Sequence, residues 1–213
     1  MTAQPQIKTH PTEVVHLPQT DSLLLRLAWW ITQIGSPPVL GLAGILLVGF
    51  ALGMGEIWPM LLLYASLALL LPFGFVLWLL RQGKVSDYNL TKREERFWPM
   101  VVSMASALVG WAVLSQMQAP ALLLALAATN LAQSVTYFLI TLRWKVSIHS
   151  AVAAGLAVLG GAVAGSPVWA LILTVPLIAW SRVVLRRHTL AQTIVGAAIG
   201  SFFFALALTI YGV

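Results

Sequence analysis

Apolar residues run in long blocks along this chain, and polar residues gather in the short gaps between them. Seven blocks stand out, at roughly 38–55, 58–80, 98–117, 119–141, 149–165, 168–185 and 189–212. A helix needs about 20 mostly apolar residues to cross the hydrocarbon core of a bilayer. The pattern therefore predicts an all-α fold, a polytopic membrane helix bundle of about seven spans. Breakers mark the joints, at Ser36-Pro37-Pro38, Gly53-Met54-Gly55, Pro120 and Ser166-Pro167. Ahead of the first block, DSLLLRLAWWITQI mixes Asp21, Arg26 and Gln33 with Trp29 and Trp30. That mixture predicts an amphipathic helix over 21–36 lying at the membrane interface. Residues 1–20 are polar and Pro-interrupted, and they hold no apolar core of the kind a signal peptide needs. They read as a flexible polar tail in which His10 and His16 take no catalytic part. The organisation expected is thus tail 1–20, interfacial helix 21–36 and one transmembrane domain over 37–213.

Composition sharpens this picture. Of the 213 residues, 60% are hydrophobic and only 8% charged, whereas soluble chains carry roughly a quarter charged residues. The mean hydropathy of +0.91 asks for lipid as solvent. There is no cysteine, which excludes disulfides, zinc–thiolate sites and thiol nucleophiles. Asp21 and Asp87 are the only aspartates. Enzymes built on Asp-rich magnesium motifs, such as prenyltransferases and alcohol phosphatidyltransferases, are accordingly disfavoured, and no cofactor is expected.

The net charge of +6 would suggest nucleic acid in a soluble protein. Here it reads as helix anchoring, and no nucleic-acid partner is expected. All 12 cations fall in four places: the N-terminal part, and the loops after the second, fourth and sixth blocks. With seven spans these places share one face. The other loops and the C-terminus hold no cation and one acid, Glu56. The positive-inside rule then makes this an integral cell membrane protein with its N-terminus and cationic face in the cytoplasm and its C-terminus opposite.

Inside the spans, small residues recur four apart at Gly49/Gly53, Gly161/Gly165 and Gly196/Gly200, a spacing for close helix packing. Asn130, Gln133, Ser134 and Tyr137 form one polar stripe on the fourth block. It serves either interhelical hydrogen bonds or the lining of a cavity. No carboxylate lies mid-span, which argues against a membrane proton relay.

Chemistry concentrates on the cationic face. The three loops there are VSDYNLTKREERFWP (85–99), RWKVSIHSA (143–151) and SRVVLRRHTLAQ (181–192). His149 and His188 each open a helix, where unpaired N–H groups and the helix dipole favour an anion. Arginines from separate loops can grip phosphate oxygens in pairs. One histidine could attack phosphorus while the other protonates the leaving oxygen, without a metal.

At these residues the chain resembles the type 2 phosphatidic acid phosphatase superfamily. Ser181, Arg182 and His188 match the type and spacing of its third signature, SRxxxxxHxxxD, with Gln192 where the family has Asp. Ser147 and His149 are what remains of its second signature, PSGH. The first, KxxxxxxRP, is echoed by Lys92, Arg93, Arg96 and Pro99. The resemblance covers about 85–200 and implies a phosphatase-like domain acting on lipid phosphates. It implies that His188 is the nucleophile that forms a phosphohistidine, and that His149 is the acid for the leaving group. Arg182 and Ser147 would bind the phosphoryl group, with Arg93, Arg96 or Lys92 supplying the first signature's cation and Lys145 as an added candidate. Gln192 would hold the far nitrogen of His188, but without a carboxylate's charge. The family commonly uses a six-helix core with its first two signatures in one loop, whereas here two blocks separate them.

Two functions stay open at this point. One is a metal-independent lipid-phosphate phosphatase, for phosphatidate-type or polyprenyl (pyro)phosphate substrates. The other is a non-catalytic binder or carrier of phosphorylated lipids, suggested by Gln192 and the incomplete second signature. Either way the partners are a phosphorylated lipid and the bilayer. A small-solute transporter is disfavoured, because no paired broken helices stand in matching halves.

Overall fold

A computed structural model describes residues 23–53, 55–164 and 169–213. The tail expected over 1–20, the first residues of the expected interfacial helix, and the joint at 165–168 lie outside the described residues. Among the described residues the chain is all-helical, with eight helices. These are α1 (Leu23–Ile34), α2 (Pro37–Ala51), α3 (Trp58–Arg81), α4 (Phe97–Gln116), α5 (Ala121–Thr141), α6 (Ile148–Ala164), α7 (Trp169–Val184) and α8 (Leu190–Tyr211).

Each expected block became a helix, but the helices are not alike. Four are long and apolar enough to cross a membrane: α3, α4 with the short turn that precedes it, α5 and α8. The pair α1–α2 meets the same test only when taken together, and it bends by 45° at the break. Gly35-Ser36-Pro37 supplies that elbow. Pro37 opens α2 in the first turn, where its missing N–H costs nothing. The remaining two, α6 and α7, are shorter, at 17 and 16 residues. At about 1.5 Å per residue, α6 is about 25 Å long, a little less than a hydrocarbon core. Its burial explains how that length is tolerated. It is the central helix, buried along most of its length, and α2, α7 and α8 pack around it.

α1 is not a helix lying alone. Ala28 and Thr32 are buried against α7, where Thr32 Oγ1 and Ser181 Oγ share a hydrogen bond of 2.9 Å. Its other side carries Leu23, Leu27, Trp30 and Ile34, exposed at helical spacing. Small residues face inward and large apolar residues outward, an arrangement that suits lipid as the surroundings.

Three local devices shape the bundle around the later site. The glycines of α8 let it press onto α6. A Cβ on Gly196 would collide with the backbone carbonyl of Ser147, and one on Gly200 with that of Ala151. The small-residue spacing is thus spent on packing within the chain. A second device lies in α3, where Ser66–Leu70 is a π-helical turn just ahead of Pro72. Proline brings no N–H and crowds the carbonyl four residues earlier; a wider turn accommodates both. The third is the start of α8. Thr189 and Gln192 form a capping box, with Thr189 Oγ1 accepting from Gln192 N and Gln192 Oε1 accepting from Thr189 N, each at 3.3 Å.

Candidate functional site

The three cationic loops meet at one end of the bundle and are tied to one another. Arg93 donates to the carbonyl of Arg143 at 3.1 Å. Lys145 Nζ donates to the carbonyl of Arg187 at 3.1 Å, and Arg187 in turn donates to Thr91 Oγ1. Trp78, Tyr88, Trp98, Trp144 and Trp180 are exposed in or near these loops. Lys84 sits 5.2 Å from the Trp78 ring centroid. Aromatic rings mixed with cations are the usual dress of a membrane–water interface.

Beneath this end lies a cavity of about 580 Å³. His149, His188, Arg96 and Arg182 all line it. They come from α6, the loop before α8, the turn before α4, and α7. All four are buried, Arg96 with 4% and Arg182 with 2% of its surface exposed. The ion pairs among the described residues join Lys92 to Glu95 and Arg93 to Glu94. Neither buried guanidinium has a carboxylate within ion-pair distance among those residues. Arg96 leans on backbone carbonyls instead, with Nε donating to Leu90 at 2.8 Å and a terminal nitrogen to Val146 at 3.5 Å. Arg182 Nε and His149 Nε2 are buried without a partner among the described residues. Asp87 acts on both guanidiniums only from beyond ion-pair distance, and buried charge without a close counter-charge is costly. A site so built gains by taking in an anion.

His188 is held by the helix cap. Gln192 Oε1 lies 2.9 Å from His188 Nδ1. The same oxygen accepts the Thr189 N–H. A backbone N–H can only donate, so the amide presents its oxygen, not its nitrogen. His188 Nδ1 therefore carries the hydrogen, and Nε2 keeps its lone pair. Burial pushes this imidazole down to about 3; the neighbouring Arg182 adds to the effect and the Gln192 hydrogen bond opposes it. At neutral pH the ring is uncharged. Burial and the nearby Arg96, Arg182 and Arg187 also lower Lys145 from its ordinary range.

The other expected residues divide. Gln192 stands behind His188 rather than in the cavity wall. Ser147 is fully buried as the cap of α6; its hydroxyl meets Ser150 Oγ at 3.1 Å, and it does not line the cavity. Lys145 is half-buried and spent on the Arg187 carbonyl. Arg93 and Lys92 face outward, with side chains 44% and 65% exposed. Of the three cations considered for the first signature, Arg96 is the one brought to the histidines.

The structure also adds residues that the sequence did not single out. Tyr88, Asn89 and Leu90 cover the head of the cavity, with Gln33 and Ser36 beside them. Gln33 Nε2 donates to the Tyr88 hydroxyl, joining α1 to this loop. Asp87 folds the loop by accepting from Asn89 N at 2.8 Å and Thr91 N at 3.1 Å. An Asp two residues before an Asn was the available signal for such a turn. Leu90 pays for it with a left-handed backbone, φ 50°. The stripe on α5 now has its place: Asn130, Gln133, Ser134 and Tyr137 all line the cavity. Among the described residues, no three His, Asp or Glu side chains gather as a metal-binding group.

No protein-family model, curated protein or solved structure matches the chain.

Proposed function

We propose that this protein is an integral membrane lipid-phosphate phosphatase that works through a phosphohistidine. The observation that carries the reading is the pair of buried guanidiniums, Arg96 and Arg182, facing a cavity shared with two histidines and with no carboxylate within ion-pair distance among the described residues. A phosphate group supplies the missing negative charge, and its oxygens accept from both guanidiniums. The apolar walls below take the lipid tail.

In the first step the lone pair of His188 Nε2 forms a bond to phosphorus. The proton of the incoming phosphate monoanion passes to His149, the bond between phosphorus and the lipid oxygen breaks, and His149 gives that proton to the leaving oxygen. The lipid leaves as an alcohol, or as a monophosphate if it entered as a diphosphate. Water then attacks the phosphohistidine, its proton goes to His149, and the N–P bond breaks to release inorganic phosphate. Gln192 keeps His188 in the reactive tautomer throughout.

The test is phosphate release from phosphatidate and from a polyprenyl diphosphate in detergent. Wild type should release phosphate, and His188→Ala should lose the activity by several orders of magnitude. Equal release from the two proteins would overturn the reading.

One observation favours a second function, a binder or carrier of phosphorylated lipid. Gln192 offers His188 a neutral oxygen, which cannot stabilise a charged phosphohistidine as a carboxylate would. Tight binding of phosphatidate with no release at high protein concentration would establish that alternative.

A further inference from the structure

A cavity made only for a phosphate and a hydrocarbon chain would need no polar groups below its head. This one has them. Ser134 and Asn130 stand seven and eleven residues before Thr141, where α5 meets the cationic end. At about 1.5 Å per residue, they lie about 10 and 16 Å below that level. The surrounding walls are apolar, with Ile45, Leu69, Val76, Met100 and Phe204.

The four members of the α5 stripe are not equivalent. Gln133 and Tyr137 are spent inside the protein. Gln133 Nε2 donates to the Gly200 carbonyl at 3.4 Å, and its Oε1 accepts from the Tyr137 hydroxyl at 2.9 Å. Asn130 is half-buried, lines the cavity, and makes no side-chain hydrogen bond among the described residues. The Tyr64 hydroxyl passes its own hydrogen to the Leu126 carbonyl at 3.4 Å. Asn130 thus has its amide hydrogens and carbonyl oxygen to offer into the cavity, and Ser134 adds a hydroxyl one turn away. A plain methylene chain packed on this pair would strip its water and return no hydrogen bond, which is unfavourable.

We propose that the ligand of this cavity carries, besides its phosphate, a hydrogen-bonding group on its tail at the depth of Asn130 and Ser134, and that this pair selects it over a plain hydrocarbon chain. The group is a hydroxyl, an ester or an amide, since each can donate to or accept from a carboxamide and a hydroxyl. The inference rests on the phosphate-head reading above. It narrows the substrate class toward amphiphiles with a polar linkage or hydroxyl well along the tail, and away from simple polyprenyl chains.

Two probes test it: octadecyl phosphate and 12-hydroxyoctadecyl phosphate, whose extended chain sets the hydroxyl near that depth. Their binding to full-length protein is measured in detergent by competition against a fluorescent alkyl phosphate. Wild type should bind the hydroxylated probe about tenfold more tightly. Ser134→Ala and Asn130→Leu should each reduce that preference, and the double variant should abolish it while still binding the plain probe. The wild-type comparison needs no variant, so misfolding of Asn130→Leu leaves the test intact. Equal wild-type affinities, with both lost in Arg182→Ala, would overturn this inference and leave the phosphate-head reading standing. Failure of both probes to bind wild type would overturn both.

Discussion

The most informative residue is Gln192, because one oxygen does two jobs. It completes the capping box of α8 and holds His188 Nδ1. Glutamate also fits the third position of such a box. Gln192→Glu should therefore keep the cap while placing a charge beside the imidazole. That charge favours the protonated ring, so the His188 pKa should rise from about 3 toward its ordinary 6.5. If His188 is the nucleophile, the acid limb of the kcat/KM profile should move up in pH and turnover should increase. Gln192→Ala should instead lower turnover roughly ten- to a hundredfold, since the ring loses its tautomer lock. A pH profile unchanged in Gln192→Glu would show that position 192 does not act through His188. Linkage gives a second check on the same ring. The folded pKa lies below the unfolded one, so between 6.5 and about 3 the unfolded chain binds more protons. Stability from this group is complete above 6.5 and is lost as pH falls through that window. Thermal unfolding in detergent should thus lose less between about pH 7 and about pH 5 in His188→Gln than in wild type.

Among the elements, the contact between α6 and α8 matters most, because His149 rides on one and His188 is fixed at the start of the other. Their approach depends on two absent side chains. Gly200→Ala would push a methyl into the Ala151 carbonyl, and Gly196→Ala into that of Ser147. Backbone cannot rotate away as a side chain can. Each substitution should cost about 2 kcal/mol or more, lower the Tm in detergent and, on the proposed function, weaken lipid-phosphate binding by shifting the histidines apart. Gly74→Ala meets nothing within 4 Å and should leave both unchanged. The helices themselves were legible in the sequence because a membrane span is a long, one-dimensional signal. Gly196 and Gly200 could be read for the same reason, from spacing on one helix. The loop over the cavity could not. Tyr88 and Leu90 reach the site through an Asp87-centred turn and a left-handed residue, and no periodicity announces that. Arg96, Arg93 and Lys92 were indistinguishable as cations in one loop. What separates them is the short turn Glu94–Arg96, which points the last one inward and leaves the other two exposed. Ser147 was misleading for a related reason: residue type and spacing do not say whether a hydroxyl faces a ligand or its own helix cap.

At the scale of the whole molecule, the question is which side of the membrane the cavity opens toward. Hydrogen bonds tie the loops after α3, α5 and α7 together at one end. At the other end Trp111 Nε1, near the finish of α4, donates to the Tyr211 hydroxyl at 3.2 Å, close to the C-terminus. If the bent α1–α2 pair crosses once and the shorter α6 and α7 also cross, seven crossings alternate these ends consistently. By the positive-inside rule, that arrangement would put the cationic end in the cytoplasm. The chain has no cysteine, so single introduced thiols report without background. Glu56 and Lys84 are both exposed, at opposite ends of α3. A membrane-impermeant maleimide should label Glu56→Cys in intact cells and Lys84→Cys only after permeabilisation. The reverse pattern would place His188 and His149 outside the cell, where the proposed phosphatase would then release its phosphate. Labelling of both from outside would mean that α3 does not cross, and the seven-crossing arrangement would fall with it. On the proposed function the experiment bears on activity as well as topology, because the compartment that would receive the phosphate decides which phosphorylated lipids could reach the site.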